Sequence, residues 1–485
     1  MGNNNNVLTV VVASFILMGL VFLAPPGLLR PARHGFTPRN THYSWVIKGA
    51  PLPGETADSS HFGGGGFQYM HMAMMERLPN GSLAVAFQAS PTSYEGSVHQ
   101  ALFWSTSNDG GVSWSGPTVL VDDDQMPVWT PVLRAEGKRL WLIYTRSSRK
   151  CRYFDRSRGV LRHSPGGDLL YVASDDSGAT WSSPQVMLPY DAEGGIPKVV
   201  ANKMAVLGSG AWVLPFWREP GKTCPKLRSE VKDPKDIVRG SAGVLISGDQ
   251  GLTWSVNGNL TSPGTWLIEN TVVELGTRTL LQHFRTRKGV AYSSVSVDGG
   301  QTWSTPQRTS IPNPNSKMHT IRGSGFTRTK TTTTTTVGVG GGGGGSGSGG
   351  SGPGDGAGSA GSRARSRVGG SGDGVVAMKQ QQQGDPTPLL LAAYNHHPRL
   401  RAPLVLARSR DDGSSWRSFA VVEPAVPSLL QFSYPTMLAV GRGTSGGGEG
   451  EPQLYTAYSV MKSSRGSLTC YGIKVARVPM SGVPR

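Results

Sequence analysis

The sequence predicts an all-β protein: a six-bladed β-propeller with an N-terminal hydrophobic leader and a disordered low-complexity insert. Three observations lead there. Five octapeptides fit S-x-D-x-G-x-[ST]-W, ending at Trp114, Trp181, Trp254, Trp303 and Trp416. Each is flanked by short apolar stretches alternating with polar residues, the period of a half-buried strand. Val, Leu, Trp, Tyr and Thr are plentiful while long segments of helical period are hard to find. A length of 485 residues would ordinarily suggest several domains, but an internal repeat can spend that length on one.

The octapeptide has the chemistry of a hairpin turn. Its Asp caps its own backbone, its Gly supplies a positive φ, and the hydroxyl and Trp lock the loop. Asp109, Asp176, Asp249, Asp298 and Asp411 are therefore read as structural. The five Trp residues fall 67, 73, 49 and 113 positions apart. The last gap is inflated by residues 328–386, a run of Thr, Gly, Ser, Arg-Ser and Gln that cannot bury a core. Without those 59 residues the gap is 54, in line with the others.

In chain order, residues 7–24 (VLTVVVASFILMGLVFLA) form an uncharged apolar run of 18, about the minimum to span a bilayer. Residues 1–35 are read as an uncleaved signal anchor, or second as a cleaved signal peptide, and residues 36–65 as a linker. This implies the secretory pathway, with the product membrane-anchored or secreted. The propeller is expected over 66–480. Its first unit reads MHMAMMERLPNGSLAVAFQA then HQALFWS; the second VWTPVLRAEGKRLWLIYTR then DLLYVAS; the third NKMAVLGSGAWVLPFWRE then SAGVLIS. The fourth reads IENTVVELGTRTLLQHFRT then GVAYSSVS. The fifth begins KMHTIRG, resumes at PLLLAAYNHH beyond the insert, and closes with APLVLARS. A sixth, FSYPTMLAV to LYTAYSVM and LTCYGIKVARV, lacks the turn.

The formal charge of +17 is partly carried by the insert, with six Lys and Arg against three Asp, and by Arg30, Arg33 and Arg39. The remaining excess suits acidic ligands or anionic surfaces. No nucleic-acid-reading motif accompanies it, so nucleic acid is not the expected partner. Cys151, Cys224 and Cys470 lack metal-ligand spacing, and no metal or cofactor is expected. A Cys151–Cys224 disulfide in an oxidising compartment and unpaired thiols both stay open.

In a propeller, the start of strand one and the end of strand two of every blade lie on one face, and the turn between strands three and four lies on the other. The octapeptides thus mark the far face. The near face collects His71, Trp129, Asn202, Lys203, Glu269, Asn270, His319, Ser433 and Tyr434 from strand starts. Arg146, Arg218, Glu219, Arg285, Asn395 and His396 come from strand ends. Such a density of charge on positions converging on one axis points to a site.

These residues resemble those of sialidases, in particular a divergent sialidase-like branch with the text NPNS, YNH and FSYP, here Asn313–Ser316, Tyr394–His396 and Phe432–Pro435. The octapeptides resemble its Asp-box repeat. The resemblance covers about residues 60–480 and implies a retaining exo-glycosidase acting on a terminal acidic sugar of glycans, working as a monomer. It implies Tyr434 as nucleophile, Glu269 as the glutamate that activates it, and Glu95, on a loop of blade one, as the acid. Arg285 and Arg401 match two of the three arginines that grip the substrate carboxylate, with Arg399 a substitute for Arg401. His319 and Asn395 are candidate ligand contacts. The first arginine is replaced by His71, which cannot reproduce a bidentate clamp, so a uronic acid or another acidic sugar fits as well as sialic acid. Two other readings remain: a non-catalytic carbohydrate-binding propeller, and a polysaccharide lyase using His71 or His319 with a tyrosine to abstract a proton beside a uronate carboxylate.

Overall fold

The computed structural model describes residues 41–49, 66–219, 240–323, 389–425, 430–441, 451–464 and 467–482. The leader, the insert and Cys224 lie outside the described residues. The chain divides into two compact units, Met1–Phe326 with Thr387–Arg485, and Thr327–Pro386; everything described belongs to the first.

The first unit is all-β and propeller-like, an arrangement of antiparallel meanders. Four are separate four-stranded sheets. The first takes Tyr69–Arg77, Leu83–Ser90, Ala101–Ser107 and Thr118–Val121. Another takes Ile268–Gly276, Thr279–Arg285, Val290–Ser296 and Gln307–Pro312. A third takes His319–Arg322, Leu390–Asn395, Leu404–Ser409 and Arg417–Glu423. The last takes Leu430–Val440, Gln453–Ser464, Ser467–Pro479 and, from the other end of the chain, His42–Lys48.

Between the first and the Ile268–Gly276 sheet lies one nine-stranded sheet. It contains the meander Val128–Glu136, Arg139–Ser147, Gly167–Ser174 and Gln185–Leu188, and the meander Ala205–Val206, Trp212–Arg218, Ser241–Ser247 and Ser255–Leu260. Lys198–Val200 joins them by pairing with Gly167 on one side and Phe216–Arg218 on the other.

In the first sheet burial falls from the first strand to the fourth. Tyr69–Arg77 is buried over eight of its nine residues, whereas Thr118–Val121 is exposed or half-buried throughout. First strands therefore have both faces covered, which is why they read as nearly continuous apolar runs, MHMAMM for one. Tyr69–Arg77 packs against both Val128–Glu136 and Leu430–Val440, while Ile268–Gly276 packs against Trp212–Arg218 and His319–Arg322. Sheets thus neighbour one another in chain order, and the last returns to the first.

The octapeptide turns are the seams. In one, Ser296 Oγ donates to Asp298 Oδ1 (2.8 Å), and the Gly300 N–H donates to Ser296 Oγ (2.8 Å). The Thr302 N–H donates to Oδ1 (2.9 Å) and its hydroxyl to Oδ2 (2.5 Å). Asp109, Asp176, Asp249 and Asp411 hold the same bonds. These hydrogen bonds to the hydroxyl and backbone hold every one of the five carboxyls below its ordinary value. The turns also press on the preceding sheet. Gly178, at φ +93°, would place a Cβ 2.1 Å from Trp104 of the first sheet, so no other residue fits there. In the first sheet the same turn meets the last: the Gly110 carbonyl accepts from Tyr455 Oη and Arg477 Nη1, both at 3.1 Å.

One expectation is corrected. Residues 36–65 are not all linker, because His42–Lys48 pairs with Ser467–Pro479 as the outer strand of the last sheet. This also explains why the sixth repeat has no octapeptide: its fourth strand does not follow its third, so no turn joins them. The hairpin interrupted by the insert is as expected, with His319–Arg322 paired directly to Leu390–Asn395. Cys151 is disulfide-bonded and Cys470 is a buried free thiol.

Candidate active site

The site is prepared in the backbone. Met72, Thr130, Glu269 and Tyr434 have φ of 62°, 53°, 49° and 60°. Each lies in the first strand of its sheet where the pairing register slips: between His71 and Met74, Trp129 and Val132, Ile268 and Thr271, Ser433 and Thr436. A bulge re-aims a side chain out of the pleat. For non-glycine residues the left-handed region is uncommon and costs on the order of 1–3 kcal/mol, so it persists only where the surroundings enforce it. Here the enforcement includes Lys317, whose buried ammonium donates to the Pro435 carbonyl (3.0 Å), Thr436 Oγ1 (3.1 Å) and Asn202 Oδ1 (3.1 Å). Burial lowers its pKa to about 7.

Two of the four bulge residues meet. Tyr434 Oη donates to Glu269 Oε1 at 2.8 Å. Arg285 Nη1 donates to the same Oε1 at 2.6 Å and also to Tyr434 Oη. All three are buried, and Glu269 Oε2 has no partner among the described residues. Burial raises the Tyr434 phenol further above its ordinary value, against the lowering effect of Arg285, so the resting phenol is neutral. The Arg401 guanidinium lies 5.4 Å from the centre of the Tyr434 ring and that of Arg285 5.8 Å from it. Asn315, itself at φ 57°, ties the two arginines together. Its side-chain oxygen accepts from Arg285 Nε (2.8 Å) and its backbone carbonyl from Arg401 Nη2 (2.9 Å).

His71 packs against Tyr434 with ring centres 4.1 Å apart and planes inclined at 59°, and its Nδ1 pairs with Ser459 Oγ at 2.9 Å. Burial, then Arg401, Arg285 and Lys317, hold it well below the ordinary histidine value, so it is neutral at physiological pH. Glu95 Oε1 accepts from Tyr69 Oη (2.7 Å) and Gln88 Nε2 (2.9 Å). Its loop is pinned: the Glu95 carbonyl accepts from Arg162 Nε (2.8 Å) and the Gly96 carbonyl from the His163 N–H (2.9 Å). Both partners belong to an added hairpin, Arg152–Asp155 with Val160–His163. Gly96, at φ +82°, could carry no Cβ, which would meet the His163 carbonyl at 2.4 Å. A further carboxyl, Glu219, accepts from Trp217 Nε1 (2.7 Å), and burial raises its pKa to about 8.

The structure therefore brings Tyr434, Glu269, Arg285, Arg401 and His71 together, with Glu95 close enough to act on the Tyr434 and Arg401 charges. His319 and Asn395, expected to touch ligand, are taken up by the frame. The Met437 N–H donates to His319 Nδ1 (2.9 Å), and Asn395 Nδ2 donates to the Phe432 carbonyl (2.7 Å), each tying one sheet to the next. Two of the neighbouring near-face charges are spent in ion pairs, Lys203 with Glu76 and Arg218 with Glu193, both at 2.8 Å. Asn315 and Lys317 were not singled out, although NPNS was visible as text. Among the described residues no group of His, Cys, Asp and Glu could hold a metal.

A ring of sheets with a buried tyrosine–glutamate–arginine cluster on one face is a sialidase-like architecture. The comparisons agree. The BNR repeat-like domain matches residues 81–328, just over half of the chain, and the chain belongs to that family as a divergent member of the sialidase-like superfamily. A sialidase of Micromonospora viridifaciens is 24% identical over 315 residues, 61% of this chain, which spans just under half (46%) of that relative's length. A Trypanosoma rangeli sialidase in complex with the inhibitor DANA is 12% identical at a TM-score of 0.54, covering 90% of this chain and 60% of that one. The NanB sialidase of Streptococcus pneumoniae is 11% identical at a TM-score of 0.54, covering 91% and 71%. A Dyadobacter fermentans protein of unknown function is 13% identical at a TM-score of 0.55, covering 90% and 99%.

Proposed function

We propose that the protein is a retaining exo-glycosidase that releases a terminal acidic sugar from glycans. The observation that carries this is the 2.8 Å bond from Tyr434 to Glu269 beneath two guanidinium groups. A neutral phenol can approach the anomeric carbon of an anionic sugar without repulsion, and a carboxylate already bonded to it can take its proton as the bond forms. Arg285 then faces a phenolate oxygen that has become covalently engaged. Arg401, and the part of Arg285 not spent on Glu269, are the donors available to the substrate carboxylate. Glu95 protonates the departing oxygen and later activates water, the two-step logic of a retaining enzyme.

In this reading the nine-stranded sheet is two blades fused through Lys198–Val200, which makes six blades in all; its two internal meanders support that count. The secretory, membrane-anchored location rests on the 7–24 run and suits the disulfide at Cys151. The test is a panel of sialosides and uronides, with the released sugar followed by proton NMR before it mutarotates. Release of the anomer with retained configuration is expected; inversion, or an unsaturated product, overturns the mechanism.

A further inference from the structure

Glu219 is a buried carboxyl that this mechanism does not use. It directly follows the strand Trp212–Arg218, and its N–H donates to the Pro197 carbonyl at 2.8 Å, so its backbone is fixed. The indole that bonds its Oε2 belongs to Trp217, which packs in one cluster with Tyr434, Met72 and Ile268. Glu219 is therefore in the wall of the site. The charged groups that act on it are Glu269 and Arg285 from the sheet of Ile268–Gly276, and Glu95 from the pinned loop of the first sheet.

Its environment differs from that of Glu269 in one respect. Glu269 is ion-paired with Arg285, whereas Glu219 has no ion pair among the described residues, and the adjacent Arg218 is spent on Glu193. A carboxyl that is 8% exposed, unpaired and facing two other carboxyls meets the desolvation cost of charge by keeping its proton. A protonated carboxyl is a hydrogen-bond donor as well as an acceptor. With Oε2 held by Trp217, Oε1 is the oxygen left to carry that proton.

We propose that Glu219 is a specificity-determining residue that acts as a neutral carboxylic acid, donating a hydrogen bond to a hydroxyl or acyl oxygen of the acidic sugar, and that its ionisation repels anionic sugars from the site. The proposal rests on the functional reading above for the class of ligand. The retained proton lets a third carboxyl line a pocket built for an anion. Loss of it places an unpaired negative charge beside Glu269 and weakens binding.

Calorimetric binding of free N-acetylneuraminate and free glucuronate to the whole protein tests this on both sides of pH 8. Wild-type affinity is expected to fall about tenfold on the alkaline side, the size of one charge-assisted contact. Glu219→Gln, isosteric with the neutral acid, keeps the neutral-pH affinity and loses the alkaline fall, while Glu219→Ala binds about tenfold more weakly than the wild type at neutral pH and shows no further fall on the alkaline side. An alkaline fall that survives in Glu219→Gln, or Glu219→Ala binding as well as wild type at neutral pH, overturns the proposal. Infrared difference spectra supply a readout independent of ligand: a protonated-carboxyl band at neutral pH that vanishes in Glu219→Gln is expected, and its absence overturns the neutral acid. Binding without turnover overturns the hydrolase reading alone. No binding of either sugar overturns both.

Discussion

Two sets of repeated positions face opposite ways in this molecule, and they repeat different things. On the far face the octapeptide turns repeat their side chains: five times a serine, an aspartate and a second hydroxyl close the same bonds. On the near face the first strands repeat their backbone, with a bulge and a left-handed residue at Met72, Thr130, Glu269 and Tyr434, while the side chains differ at every one. The far face is self-satisfied and needs no ligand. The near face stores strain and leaves a buried carboxylate oxygen of Glu269 without a partner among the described residues. A repeat fold thus separates stability from function by what it holds constant.

The comparison breaks if near-face changes cost stability or far-face changes cost activity. The largest effect is expected for Glu269→Gln, which removes the proton acceptor and should lower kcat by about 10³-fold, with little change in Tm. Asn315→Ala comes next. It unties Arg285 from Arg401 and is expected to raise KM about tenfold or more while kcat changes less, since a bidentate hold on the substrate carboxylate depends on both guanidinium planes being fixed. On the far face, Gly178→Ala forces a Cβ into Trp104 at a φ only glycine tolerates, and about 2–4 kcal/mol of stability should be lost in denaturant titration with KM unchanged.

The pH dependence of stability separates the faces once more. Glu219 has a folded pKa of about 8 against an ordinary 4.5, so between those values the folded state holds a proton that the unfolded state has released. Stability from this group therefore falls as pH rises through that window, and Glu219→Gln should flatten the slope of Tm against pH there. The octapeptide aspartates act in the opposite sense. Their folded pKa values are depressed, so their contribution is present above the ordinary value of 3.8 and is lost on acidification below it. Asp298→Ala, on an exposed turn, is expected to lose less Tm than Gly178→Ala and no activity.

Much of this was legible in the sequence because the octapeptide is local: its bonds join residues two to four positions apart, and its tryptophans count the hairpins. Tyr434, Glu269 and Arg285 were reachable once the turns had fixed which strand ends share a face, and Arg401 came from the resemblance alone. His42–Lys48 was not, since it pairs with a strand more than 400 residues away and carries no repeat text. Lys317 and Asn315 escaped because their roles lie in hydrogen bonds to residues distant in the chain. His319 and Asn395 show the related point that a strand start or end on the correct face can bond to the neighbouring sheet. The weight of Glu219 comes from the absence of an ion-pair partner among the described residues, which no single stretch of sequence displays.

The central claim is that Tyr434 is the nucleophile. Purified wild type and Tyr434→Phe, compared on the acidic-glycoside panel with Tm measured alongside, test it most directly. The account predicts turnover of at least one acidic glycoside by the wild type, a loss of about 10³-fold or more in the variant, and an unchanged Tm. Full activity in Tyr434→Phe would contradict it.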